Sequence, residues 1–225
     1  MRRPKTIKRY NKLFRDSLEA LRSLKGRFDG QRVYCVGCGP SLIKQPLGAL
    51  DGCPVISTNW AHLALDGVVS PSWSCSAITD SRRMVELRDV LVDRGQTVFC
   101  SPCIWTVGGR VKVETSVDPE LYSEPFICIK PKPKRKGIVN YGCSLDLEQG
   151  VYLGRSVIFT AIQIAAHLGA SEIVCLGMDM NYSGARTYFD NRISSGNLYG
   201  FSYHKHAKPV LIAMRDILEK AGVKF

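Results

Sequence analysis

At residues 33–42 the sequence reads VYCVGCGPSL: a strand-like run enters Gly37, Cys38, Gly39, Pro40 and Ser41, a turn almost without side chains. Glycines there let a ligand approach the main chain, and the N–H groups of a bare turn can face a phosphate or a ribose–base unit. The turn is not the dinucleotide motif G-x-G-x-x-G, since the third glycine is missing and a proline follows; it also lacks the lysine of a P-loop. A tight strand-to-helix connection accounts for the same residues. A second group, MDMNYSGARTYFD at 178–190, sets Asp179, Asn181, Tyr182, Arg186 and Tyr188 just past the apolar run EIVCLG. Phenols, a guanidinium and an amide together can hold a phosphate or a carbohydrate; a polar loop pinned to the core by its aromatics is the other account. In YHKHAKP at 203–209, His204 and His206 precede the last helical pattern, where an imidazole can act as general base near neutral pH. Asp80 closes SAITD, fit to bind a ribose, a base or a metal, or to cap the helix that follows. His167, on an apolar helical face, reads as structural.

The elements that must position these groups are short apolar strands alternating with helices. Strands are expected at RVYCVG, CPVIST, WSCSAIT, TVFCSP, PFICIK and SEIVCLG. Helices are expected at 6–26, at 81–94 with Gly95 closing it, in SVIFTAIQIAAHLG, and in KPVLIAMRDILEKAG with a proline in its first turn. This order predicts an α/β fold: a doubly wound, mostly parallel Rossmann-like sheet with helices on both faces. A basic amphipathic helix occupies 1–27 and the nucleotide-binding domain 28–225. Residues 182–205, rich in Gly, Ser, Asn and Tyr and without a period, read as a flexible lid.

Composition narrows the partners. The chain has 225 residues, 31 Lys and Arg against 20 Asp and Glu, and a formal net charge of +11. The basic residues gather in the first 27 positions and in KPKPKRKG, without the interleaved aromatics of a single-strand platform, so no specific nucleic acid is expected. An anionic partner such as a sugar nucleotide, a phosphorylated glycan or an anionic membrane surface suits the charge equally well. The nine cysteines, an odd number mostly inside apolar runs and with no secretory signal ahead of them, read as reduced, buried thiols of a cytoplasmic protein. Cys100 and Cys103 have the spacing of half a zinc site, as do Cys35 and Cys38, but nothing completes a shell, and no metal is expected.

Taken in order, GQRVYCVGCGPSL, VISTN, a strand ending in TD, LGASEIVCLGMDMNYSG, YFD and HAKPVLIAMRDILEK resemble the lipooligosaccharide sialyltransferases of glycosyltransferase family 42. They also resemble the wider Rossmann-like group that includes 6-hydroxymethylpterin pyrophosphokinases. The likeness covers roughly residues 28–221. It implies metal-independent, inverting transfer of a sugar from a CMP-type donor to a glycan hydroxyl. In that pattern Gly37, Cys38, Gly39, Pro40, Ser41 and Asn59 hold the nucleotide, with Asp80, Arg155, Asp179 and Asn181 near it. Tyr182 and Tyr188 then steady the departing phosphate and His206 deprotonates the acceptor. The family's usual G-N-G-P-S-L reads G-C-G-P-S-L here, the tyrosines stand one position late, and Arg155 lies only near its expected place.

Two other functions fit the sequence. A pyrophosphokinase-like phosphotransfer enzyme would need Mg²⁺ on carboxylates such as Asp80 and Asp179. A non-catalytic sugar-nucleotide or glycan-binding module would need affinity alone. The apolar stripe of the first helix either makes a homo-oligomer or folds back on its own sheet, and the basic ends suit a peripheral position at the inner membrane face.

Overall fold

A computed structural model describes residues 4–101, 104–107, 110–113, 119–122, 125–132, 141–180, 187–193 and 202–225, with backbone alone at 4–7, 104–107, 110–113 and 119–120. The strands are β1 (Arg32–Val36), β2 (Pro54–Thr58), β3 (Trp73–Ile78), β4 (Thr97–Cys100), β5 (Ile104–Val107), β6 (Arg110–Val113), β7 (Phe126–Cys128) and β8 (Glu172–Leu176). The helices are α1 (Pro4–Asp16), α2 (Leu18–Leu24), α3 (His62–Leu65), α4 (Ser81–Asp93), α5 (Val157–His167) and α6 (Lys208–Lys220). Six strands form one sheet in the order β7-β4-β3-β2-β1-β8, every neighbouring pair parallel; β5 and β6 form a separate antiparallel hairpin. This is the expected doubly wound α/β architecture.

Strand alternation splits the core into two faces. Val33, Cys35, Ile56, Cys75, Ala77, Phe99 and Ile127 face α5, α6 and Leu21 of α2. Ile78, Val98, Cys100, Phe126 and Cys128 face α4 and Tyr10 of α1. Val36 and Val55 meet Leu42, Leu50, Ala61 and Leu65 beside them. Nine of the eleven residues of α5 are buried, which makes it the central helix: it lies across β1, β2 and β3 with α2 and α6 flanking it. Cys35 and Cys38 therefore enter opposite cores and cannot share a metal, while the Cys100 thiol stands 3.9 Å from that of Cys128. Cys103 lies outside the described residues.

Each edge of the sheet meets other parts of the chain. The expected helix over 6–26 runs as α1 and α2, with Ser17 between them still in helical conformation (φ −80°, ψ −11°), its N–H donating to Leu13 O and its carbonyl accepting Leu21 N. The Ser17 Oγ accepts the outward N–H of Cys128 on β7 at 2.8 Å. At the other edge, Ile173 N donates to Lys224 O and Gly177 N to Gln45 Oε1, both at 2.9 Å. Unpaired strand edges invite pairing with other chains, and these contacts occupy part of each. The apolar stripe of α1 folds back on its own sheet, with Tyr10 packed against Tyr122.

The expected lid over 182–205 is described only in part, and both described parts are anchored. Phe189 and Ile193 are buried beside Cys38, with Phe189 N donating to Cys38 O at 2.9 Å. Residues Tyr203–Ala207 form a π-helical turn leading into α6. Among the described residues, no helix is long and apolar enough to cross a membrane.

Candidate functional site at the carboxyl edge of the sheet

Strand order runs outward from β1 through β2, β3, β4 and β7, and the chain returns to the other side of β1 only with β8. The single reversal falls between β1 and β8. In open α/β sheets, ligands bind beyond the carboxyl ends of the strands at such a point. The glycine turn and Asp179 both lie there.

The turn is bare because two main chains meet in it. Gly37 N donates to Leu176 O and Gly39 N to Gly177 O, each at 2.8 Å. A Cβ at Gly37 would stand 2.6 Å from Gly177 O; one at Gly39 would overlap Asp179 Oδ2. Gly177 itself has φ +61°. The amides of Gly37 and Gly39, expected to face a phosphate, are thus spent on β8, and Pro40 has no N–H to offer. Ser41 gives both its N–H (3.2 Å) and its hydroxyl (2.8 Å) to Asp179 Oδ2, so this carboxylate stitches the end of β8 to the turn. Cys38, in the place of the family's asparagine, turns inward: it is buried, and its thiol donates to Thr58 O at 3.1 Å. Burial pushes that thiol up to about 12.

The neighbouring side of the edge, over β2 and β3, is less committed. Asn59 follows β2 in the left-handed region, φ +46°, and its buried Oδ1 has no partner among the described residues; the same holds for Trp60 Nε1 and His62 Nε2. Asp80 caps α4, accepting Arg82 N at 2.9 Å and pairing with the Arg82 guanidinium at 3.1 Å. The next residue, Arg83, has a side chain only 11% exposed; it bonds Glu86 Oε2 at 2.6 Å and the Tyr188 phenol. Burial raises the Tyr188 phenol above its ordinary value, the positive charge of Arg83 offsetting part of the rise. Cys38 and Asp80 act electrostatically on the same phenol, so residues 187–193 return Tyr188 to the ends of β1 and β3.

Arg155 is exposed, with φ +67°, directly before the N-cap residue of α5. Its loop is held by Gln163, fully buried in α5: Oε1 accepts Ser144 N and Tyr152 N, both at 3.0 Å, and Nε2 donates to Tyr152 O (2.9 Å) and Phe159 O (2.8 Å). His206 Nδ1 accepts Ser202 N at 2.9 Å. A neutral ring held this way carries its proton on Nε2 and presents a donor there. Val210 of α6 packs against Gly154, which sets the start of α6 beside that of α5 on the same edge of the sheet. His167 is structural as expected, its Nδ1 accepting Leu147 N (3.3 Å) and its Nε2 donating to Leu21 O (2.9 Å).

Asn181, Tyr182 and Arg186 lie outside the described residues. The structure adds Arg83, His62 and Phe189, which the sequence patterns did not single out. For Arg83 the available signal was a cation in the first turn of a helix, opposed to the helix dipole; for His62 and Phe189 there was none. Among the described residues no three His, Cys, Asp or Glu side chains gather as a metal set. Comparison of the chain with protein-family models, with curated proteins and with solved structures finds no match.

Proposed function

We propose that the chain is a glycosyltransferase that binds a CMP-type sugar nucleotide over the ends of β1, β2 and β3 and passes the sugar, with inversion, to a glycan hydroxyl. The observation that carries this reading is the buried, unpartnered amide oxygen of Asn59 beside the β1 turn. A dry acceptor without a donor is costly, and a ligand N–H or O–H satisfies it. The exocyclic amine of cytosine or a ribose hydroxyl has that chemistry. At the ends of β1 and β3, a phenol that accepts from Arg83 is polarised to donate more strongly, which suits an oxygen gaining charge as the phosphate departs. For His206 to act as base, its proton must move to Nδ1, so the Ser202 N–H contact has to open when substrate is bound.

Calorimetry with CMP, UMP, GMP and AMP, with and without Mg²⁺, tests the reading. CMP binds without metal, Asn59→Ala loses that binding, and His206→Ala keeps it while turnover of a CMP-sugar falls by about 10²- to 10⁴-fold. Unchanged CMP affinity in Asn59→Ala overturns the reading. Mg²⁺-dependent ATP consumption that survives His206→Ala replaces it with phosphotransfer, and full affinity without turnover of any donor replaces it with a binding module.

A further inference from the structure

We propose that His62 is a positioning residue for the Asn59 amide: its Nδ1–H holds the Asn59 carbonyl and keeps that residue in the backbone conformation from which its side chain recognises a base. The inference rests on the nucleotide reading above and deepens it.

His62 opens α3, is 2% exposed, and places Nδ1 3.0 Å from Asn59 O. A carbonyl only accepts, so Nδ1 carries the proton and Nε2 is left as an acceptor. That Nε2 is buried with no partner among the described residues. A buried imidazole satisfied at one end only is a poor choice for packing, since a lone acceptor in a dry site costs more than an apolar side chain of similar size. What the residue contributes is therefore the bond at its other end. The Trp60 ring lies beside it, with centroids 6.2 Å apart and planes at 27°.

Among the described residues, Asn59 is one of three non-glycine residues with positive φ. Such a conformation persists only where the surroundings impose it, and it concentrates at functional sites. The surroundings here are explicit. Thr58 is tied to the end of β1 and to the turn after it, its Oγ1 donating to Val36 O and its carbonyl accepting the Cys38 thiol, both at 3.1 Å. The Asn59 carbonyl is tied to α3 by His62. Between these two anchors the Asn59 amide oxygen remains uncommitted and buried, an acceptor suited to a base that bears an exocyclic amine.

The test is CMP binding by calorimetry to His62→Leu and His62→Asn, with thermal midpoints of the same unliganded samples. An asparagine amide can donate where Nδ1 does. In His62→Leu the Asn59 backbone is released, the competent conformer becomes a minor one, and Kd rises about tenfold; His62→Asn recovers most of that loss. His62→Leu binding CMP like the wild type overturns the proposal, as does a His62→Asn protein that matches the wild-type midpoint yet fails to recover affinity. If the wild type binds none of the four nucleotides, the functional reading falls by itself. The positioning role is then decided without ligand. Asn59→Gly adopts positive φ freely, so in that background the midpoint loss caused by His62→Leu must shrink, and strictly additive losses overturn the role.

Discussion

Replacing Gln163 by leucine isolates one buried side chain that organises a whole loop. Its amide is fully used: two main-chain N–H groups arrive at Oε1 and two carbonyls receive Nε2, all between 2.8 and 3.0 Å. Leucine nearly keeps the volume but strands Ser144 N, Tyr152 N and Tyr152 O, while Phe159 O keeps its place in the helix ladder. Each stranded buried group costs about 1–3 kcal/mol. Because Tyr152 is half-buried and its loop can admit water, the expected sum lies near the lower end, about 3–5 kcal/mol. Against a total stability of about 5–15 kcal/mol that is a large fraction. With a urea slope of about 2–3 kcal/mol per molar, the unfolding midpoint falls by about 1–2.5 M. Ile162→Val, at the adjacent fully buried position, serves as the control for ordinary core damage and costs about 0.5–1.5 kcal/mol. A Gln163→Leu loss no greater than that of the control refutes the reasoning, because the four hydrogen bonds would then carry no net weight.

Two further outcomes follow from the same geometry. Gly37→Ala puts a methyl group 2.6 Å from Gly177 O, a main-chain atom that can move only with the strand ends, and overpacking of this kind costs about 1–3 kcal/mol; a urea midpoint equal to that of the wild type contradicts the packing role. Burial holds the His62 and His167 imidazoles below their ordinary range. The unfolded chain therefore takes up protons first as pH drops through about 6.5, and stability declines from there until the native histidines titrate. Urea titrations from pH 8 to pH 5 show this as a falling midpoint, and a flat profile over that interval speaks against it.

The layered fold was readable in the sequence because its causes are local. Parallel strands covered on both faces appear as unbroken apolar runs such as RVYCVG and EIVCLG, and the helix stops at Gly95 and Gly169 both carry positive φ. The contact of Ser17 with β7 was not readable, because its partner, the Cys128 N–H on the open side of that strand, lies 111 residues away. Gln163 looked like one polar residue in the apolar helix IFTAIQIAAH, and only the folded loop reveals how many main-chain groups it serves. The site was partly readable: Asn59, Asp80, Tyr188 and the 37–41 turn do gather at the ends of the first three strands. Arg83 and His62 were missed because their importance lies in what they bond, which no spacing records.

The glycine turn shows why residue type alone could not assign its role. A glycine in a strand-to-helix turn records that something comes within reach of the missing Cβ; it does not record what. A phosphate arriving from solvent and the main chain of β8 impose the same demand on residues 37 and 39. Here the occupant is Gly177, which comes late in the chain and is glycine for the reciprocal reason, since a Cβ on it would stand 2.6 Å from Gly37 O. Once the end of β8 has taken these amides, and the Asp179 carboxylate has taken the N–H and hydroxyl of Ser41, the two sides of the strand reversal are stitched together by the chain itself. Any ligand at this edge must then find its polar partners on the β2–β3 side, where Asn59 and the Arg83–Tyr188 pair stand. Under the proposed function the two halves of the edge divide the work, with β1 and β8 fixing the frame and the residues after β2 and β3 offering the chemistry. Substitutions in the first half are then expected to act on stability, and those in the second on binding.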